Sequence, residues 1–276
     1  VRSSDSPLGN SVFDPDPSTR EAFGGQSLSR KLWTFRDLVF YLGSAALALV
    51  VANVLAISAY AALALRMGWP PASGRLGENA FFLIALQIVF HALVFGYTIL
   101  LVRVNYRRPF WEELRWSRSA ARPAAKFLLG GVFLAFLIRF APPLLPGQED
   151  FPLQKLFHSP AAAYLIGAFA ILIAPFMEEL IFRGALFRFS ENLVGPRFAI
   201  GATALFFSAL HVPEYWGAWN HVLLIFVVGL VLSLVRGRTG SVMPAYLLHL
   251  TYNASLMAIL FVETDRFRSL AGPIAN

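Results

Sequence analysis

Apolar and polar stretches alternate along the chain. Seven apolar segments stand out, at about 38–62, 79–103, 125–146, 161–187, 198–211, 221–235 and 242–262. In lipid the backbone hydrogen bonds must close within each segment, so all seven read as helices. The pattern predicts an all-α, polytopic transmembrane helical bundle of about seven spans. A crossing takes about 20 residues, and the first four segments are long enough. The fifth and sixth are short. Either they are stubby, membrane-thinning helices, or they extend into Val212–Asn220, whose Tyr215, Trp216 and Trp219 read as an aromatic belt. Phe110–Arg122 is amphipathic and too short to cross, so a helix there would lie in the interface.

The fourth segment breaks the apolar rule. Ala161 to Met177 carries no charge, and then come Glu178, Glu179 and Arg183 before the apolar run resumes. A charge near the centre of a span costs about 2.5–3.5 kcal/mol on insertion scales. Three charges in one span need a reason.

Composition agrees with the pattern. The 276 residues are 57% hydrophobic and 14% charged, with mean hydropathy +0.60, against about 25% charged in a soluble domain. There is no cysteine, which excludes disulfides, thiolate metal sites and a Cys nucleophile. The net charge of +7 would suggest nucleic acid in a soluble protein; here it reflects Lys and Arg held in cytoplasmic loops, and no nucleic-acid partner is expected. Fifteen of the Lys and Arg beside the spans fall on the side of the N-terminus and five on the other, which predicts an N-terminus in the cytoplasm and a C-terminus outside.

Residues 1–32 are polar and read as a disordered cytoplasmic tail rather than a signal peptide. Trp33 and Phe35 read as an interfacial anchor. Residues 33–124 form an N-terminal set of transmembrane helices with a basic loop, 125–262 the core that holds the polar motifs, and 263–276 a C-terminal tail.

Three segments carry polar residues at one spacing. Glu179 and Arg183, Phe207 and His211, and His249 and Asn253 each stand at i, i+4, on one face of a helix, with Glu178 about 100° round from Glu179. Counted from the cytoplasmic ends at 1.5 Å per residue, Glu178 lies about 13 Å deep, His211 about 20 Å, His249 about 12 Å and Asn253 about 18 Å. All four fall in one layer, so these helices can meet in a buried polar pocket. Glu179 and Arg183 could instead pair with each other simply to order the bundle. Glu178 then remains a carboxylate with no cation in its own helix. His91 reads as a satisfied core residue, His158 as a loop residue, His221 as interfacial, and Glu112 with Glu113 as a solvated or interfacial pair.

The chemistry available is that of hydrolysis without a side-chain nucleophile. A carboxylate beside an imidazole can take a proton from water, burial raises a carboxylate's pKa toward neutrality, and His and Asn can donate hydrogen bonds to an oxyanion. No span holds an Asp dyad, and there is neither an H-E-x-x-H nor a Gly-x-Ser-Gly motif.

Glu178-Glu179-x-x-x-Arg183, Phe207-x-x-x-His211 and His249-x-x-x-Asn253 resemble, in order, the three motifs of the CAAX protease and bacteriocin-processing (Abi) family of intramembrane proteases, whose eukaryotic members include the Ras-converting CAAX endopeptidase. The resemblance covers about 160–262. It implies that Glu178 and His211 activate water, that His249 and Asn253 form the oxyanion hole, and that Glu179, Arg183 and Phe207 shape the site or hold substrate. The expected partners are the bilayer and a peptide or membrane-protein substrate. A prenylated CAAX tail is the eukaryotic substrate class; the initial Val and compact chain read as bacterial, in a cytoplasmic membrane. A metal-free glutamate mechanism is the preferred reading. Zinc on Glu178, His211 and His249 is the alternative, since a His₂Glu set with an open position suits that ion. A second functional reading is non-catalytic: a membrane scaffold, immunity or transporter-like protein that uses the same pocket for binding or proton relay. Nothing in the sequence fixes the oligomeric state.

Overall fold

The computed structural model describes residues 32–68, 76–141 and 159–269. The expected tail at 1–31, His158 and residues 270–276 lie outside them. Among the described residues there are eight helices and no strand. These are α1 (Phe35–Met67), α2 (Ala80–Asn105), α3 (Phe110–Glu113), α4 (Ala124–Phe140), α5 (Pro160–Val194), α6 (Pro196–Ala209), α7 (Trp219–Thr239) and α8 (Val242–Glu263).

Five of them, α1, α2, α5, α7 and α8, are long and apolar enough to cross a membrane, and the chain is an integral membrane protein. The α4 helix has 17 described residues, at the lower limit for a span. With 14 residues, α6 reaches about 21 Å, short of the about 30 Å of a hydrocarbon core. The sixth apolar segment is not stubby: it starts at Trp219 and runs 21 residues to Thr239. Large apolar side chains such as Leu65, Phe198 and Val262 are exposed on the outside of the bundle, as a lipid-facing surface requires.

α5 is the central element. Its most apolar window is 44% buried, against 17% in α1 and in α2. It is not a uniform helix. Pro175 has no N–H to give, and the turn before it, Phe169–Ile173, widens into a π-helix. A second π-turn spans Leu180–Leu186. Glu178 and Glu179 lie between the two.

Around α5 the remaining helices pack in pairs, α4 on α8 and α6 on α7. Phe127, Leu134 and Ala135 of α4 meet Val228 and Leu232 of α7 and Ala245, Leu248 and Tyr252 of α8 in one apolar cluster. Gly229 lets α7 close on α6: a Cβ there would stand 3.2 Å from Ala204 Cα and Phe207 Cδ1.

At the basic end of the bundle three expectations change. Trp33 is not an interfacial anchor; it is fully buried, edge-on to Tyr106 and Phe189. Its indole N–H donates to Glu113 Oε1 at 2.6 Å, which also accepts from Arg188 at 2.8 Å. Glu113 is therefore an internal tie, while Glu112 stays exposed as expected. The Phe110–Arg122 helix is only the single turn of α3 and a 3-10 turn at Ser119–Ala121. At the other end Tyr215 is buried against the His221 ring, and only Trp216 and Trp219 keep the exposure of a belt.

The α4–α8 contact gives a test with its own control. A Cβ on Gly131 would collide with Thr251 Oγ1 and the Leu248 carbonyl, whereas one on Gly130 meets only Leu248 Cδ1 at 3.6 Å. Gly131→Ala should lower stability in detergent by about 1–3 kcal/mol, the scale of overpacking. Gly130→Ala should not. Thermal melts of both variants check this.

Candidate active site

The site is built around one carboxylate oxygen. Glu179 Oε1 accepts from Arg183 Nη1 at 2.9 Å and lies 2.9 Å from His249 Nδ1. Glu179 and Arg183 side chains are fully buried. Arg183 also donates through Nη2 to the Gly229 carbonyl at 3.0 Å and lies over the Phe207 ring, 4.6 Å from its centroid. One ion pair thus ties α5 to α6, α7 and α8. A guanidinium suits this role because its fork can serve several acceptors at once.

The π-turns supply further ties. The Ala174 N–H goes to Phe169 O instead of Ala170 O, and Pro175 has none to offer. The orphaned Ala170 carbonyl accepts from Asn253 Nδ2 at 2.7 Å. In the second π-turn the Phe187 N–H goes to Phe182 O, which frees the Arg183 carbonyl; it accepts from Arg236 Nε at 3.1 Å. In lipid a free carbonyl costs several kcal/mol, so each irregularity draws a polar side chain from another helix.

Glu178 stands apart from this lattice. Its side chain is 21% exposed, and its Oε2 lies 3.8 Å from His249 Nε2. His211 is in the turn just beyond α6, with Nδ1 2.9 Å from the Phe207 carbonyl. A carbonyl only accepts, so His211 Nδ1 carries the proton and Nε2 is left free. The Phe207 ring lies between the two imidazoles, 4.9 Å from His211 and 6.0 Å from His249. Counted from Val194, Glu178 lies about 24 Å from the end of α5, close to the 21 Å reach of α6. All seven residues singled out in the sequence fall in this one region.

Two ionisable residues near it were not assigned to it. Glu214 follows His211 in the same turn, its N–H on the His211 carbonyl at 3.1 Å. The residue keeps an exposed face. Burial strips water from its carboxyl and pushes the pKa above the ordinary value; His211 acts against this and the Glu178 charge adds to it. The sequence signal was an acid three residues past a motif His. His91 on α2 is the other. It is buried at 8% exposure, with its ring against Phe169.

For a zinc ion the donor types are right. Both His rings are tethered at Nδ1 and leave Nε2 free, as metal-bound histidines do. The positions are not: among the described residues no three His, Asp or Glu side chains stand close enough to hold an ion. As arranged, Glu178, His211 and His249 do not fit a His₂Glu metal centre.

Residues 160–255 match the family model described as Rce1-like, type II CAAX prenyl endopeptidase Rce1-like. The segment runs from the start of α5 past Asn253 and contains all three motifs, so the resemblance to the CAAX protease family holds for the part of the chain that builds the site. No curated protein and no solved structure matches the chain.

The two neighbouring glutamates should separate in stability. Glu179→Ala leaves Arg183 buried without its counter-ion and should cost about 3–5 kcal/mol. Glu178→Ala removes a partly exposed carboxylate and should leave the melting temperature nearly unchanged. Thermal melts of the two purified variants in detergent make the comparison.

Proposed function

We propose that the chain is an intramembrane endopeptidase that cleaves a membrane-associated peptide or protein by glutamate- and histidine-activated water, without a metal. The observation that carries this is the division of labour between adjacent carboxylates. Glu179 is fully buried and paired, while Glu178 is partly accessible beside the other nitrogen of the His249 ring that Glu179 holds.

Glu178 takes a proton from water as the oxygen attacks the scissile carbonyl, and His211 shares in activating that water. Only Nε2 of His211 is free to receive or relay a proton, because Nδ1 is held by Phe207. The carbonyl oxygen becomes negative and needs donors. His249 offers Nε2; with Nδ1 already donating to Glu179, a second N–H makes the ring an imidazolium, and Glu179 is its counter-charge. One amide hydrogen of Asn253 is bound to Ala170 and the other remains for the oxyanion. The proton held by Glu178 then passes to the leaving amine.

Glu178→Gln keeps size and hydrogen bonding but removes the base. Turnover of a membrane peptide should fall by about 10²-fold or more, with the melting temperature retained and parent activity unaffected by a chelator. A variant as fast as the parent would favour the scaffold reading. Loss of parent activity to the chelator alone would place a metal at Glu178, His211 and His249.

A further inference from the structure

We propose that the rings of Trp116, Phe176 and Tyr246 form a substrate subsite beside the scissile bond, one that takes a large apolar side chain of the peptide and so sets where the peptide is cut. The inference rests on the hydrolytic reading for where that bond lies, and extends it to substrate choice. The three rings meet pairwise: Trp116 and Phe176 have centroids 5.5 Å apart, Trp116 and Tyr246 5.4 Å, and Phe176 and Tyr246 6.1 Å. None is closed off; each keeps a partly exposed side. Trp111, 43% exposed, continues the wall 5.8 Å from Trp116.

Helix register puts this wall next to the reactive groups. Tyr246, His249 and Asn253 stand at i, i+3 and i+7 on one face of α8, and Phe176 lies three residues before Glu179 and two before Glu178. Three residues of helix rise about 4.5 Å, little more than one residue of an extended peptide, about 3.3–3.6 Å. A carbonyl held at His249 and Asn253 therefore brings a neighbouring side chain of the substrate onto the rings. Trp116 is fixed by the bonds on both sides of it. The Arg115 carbonyl accepts from the Val242 N–H at 2.9 Å, and the Ser117 N–H donates to Ser241 Oγ at 3.1 Å. Leu114 is set against α5, where a Cβ on Gly184 would stand 3.5 Å from it. All four of these loop residues lie outside the family-matched segment, so the three motifs say nothing of this wall. Ring faces attract cations as well as apolar groups. The loop that carries Trp116 also carries Arg115, Arg118 and Arg122, all exposed, against exposed Glu112 alone, and this opposes a positive side chain. An aliphatic or aromatic one meets no such repulsion.

An alanine peptide carrying a single large residue X reads the subsite without knowledge of the natural substrate. With X as Leu or Phe, the parent should cut at one fixed bond relative to X, and the cut should move with X along the peptide. Its kcat/KM should exceed that for the all-alanine peptide, and for X as Lys, by about 10-fold or more, the scale on which a pocket discriminates side-chain size. Trp116→Ala and, separately, Tyr246→Ala should erase most of that ratio. A ratio between peptides does not depend on how much of a variant folds, whereas loss of a purely structural contact slows all the peptides alike. Binding of the same peptides to the Glu178→Gln variant is a readout without cleavage and should follow the same order. If neither the cut nor the binding depends on X, or if both ring variants keep the parent's ratio, the inference is overturned. If the parent cuts nothing, yet Glu178→Gln binds the Leu and Phe peptides more tightly and loses that preference when Trp116→Ala is added, the subsite stands and the protease reading fails instead.

Discussion

Everything in the bundle centre depends on Glu179 Oε1, shared between the Arg183 guanidinium and His249 Nδ1 at 2.9 Å each. An ion pair taken out of water gains little net stability unless hydrogen bonds use its remaining groups. Here part of that capacity is used to join helices: Arg183 reaches the Gly229 carbonyl of α7 and the Phe207 ring of α6, and Glu179 reaches α8, while Glu179 Oε2 and Arg183 Nε have no partner among the described residues. The same contacts that make the pair tolerable in lipid also place His249 beside Glu178. Fold and site are held by one set of bonds.

The two π-turns of α5 extend this logic to the backbone. Each shifts one N–H back by a residue and leaves a carbonyl open, at Ala170 and at Arg183. Asn253 and Arg236 close them. Pro175 makes the first opening permanent, since it cannot donate. Asn253 is thereby tied to α5 by its own side chain. Gly229 contributes from the other side, letting α7 approach α6 closely enough for its carbonyl to meet Arg183.

Much of this was legible in the chain. Seven apolar runs mark seven of the eight helices, and the i, i+4 spacing of Glu179 and Arg183 marks their ion pair. Rise per residue placed Glu178, His211 and His249 in one layer. What stayed hidden has physical causes. A buried tryptophan and an interfacial one look alike in a sequence, so Trp33 and Tyr215 were misplaced. Asn220 at one end and Arg236 and Arg238 at the other masked the full length of α7. Glu113 looked solvated because Trp33 and Arg188, its partners, are 80 and 75 residues away. The π-turns needed tertiary partners to exist, and Pro175 alone did not announce them.

The central claim is that Glu179 serves both the bundle and the chemistry, and the doubly apolar variant Glu179→Leu/Arg183→Met separates the two. Replacing both members of a buried pair removes the uncompensated charge and is often neutral or stabilising. The account predicts that this variant regains the thermal stability lost in Glu179→Leu alone, yet stays inactive, because His249 Nδ1 has lost the carboxylate that orients it. Recovery of turnover together with stability would contradict the account, for it would show that His249 needs nothing from Glu179.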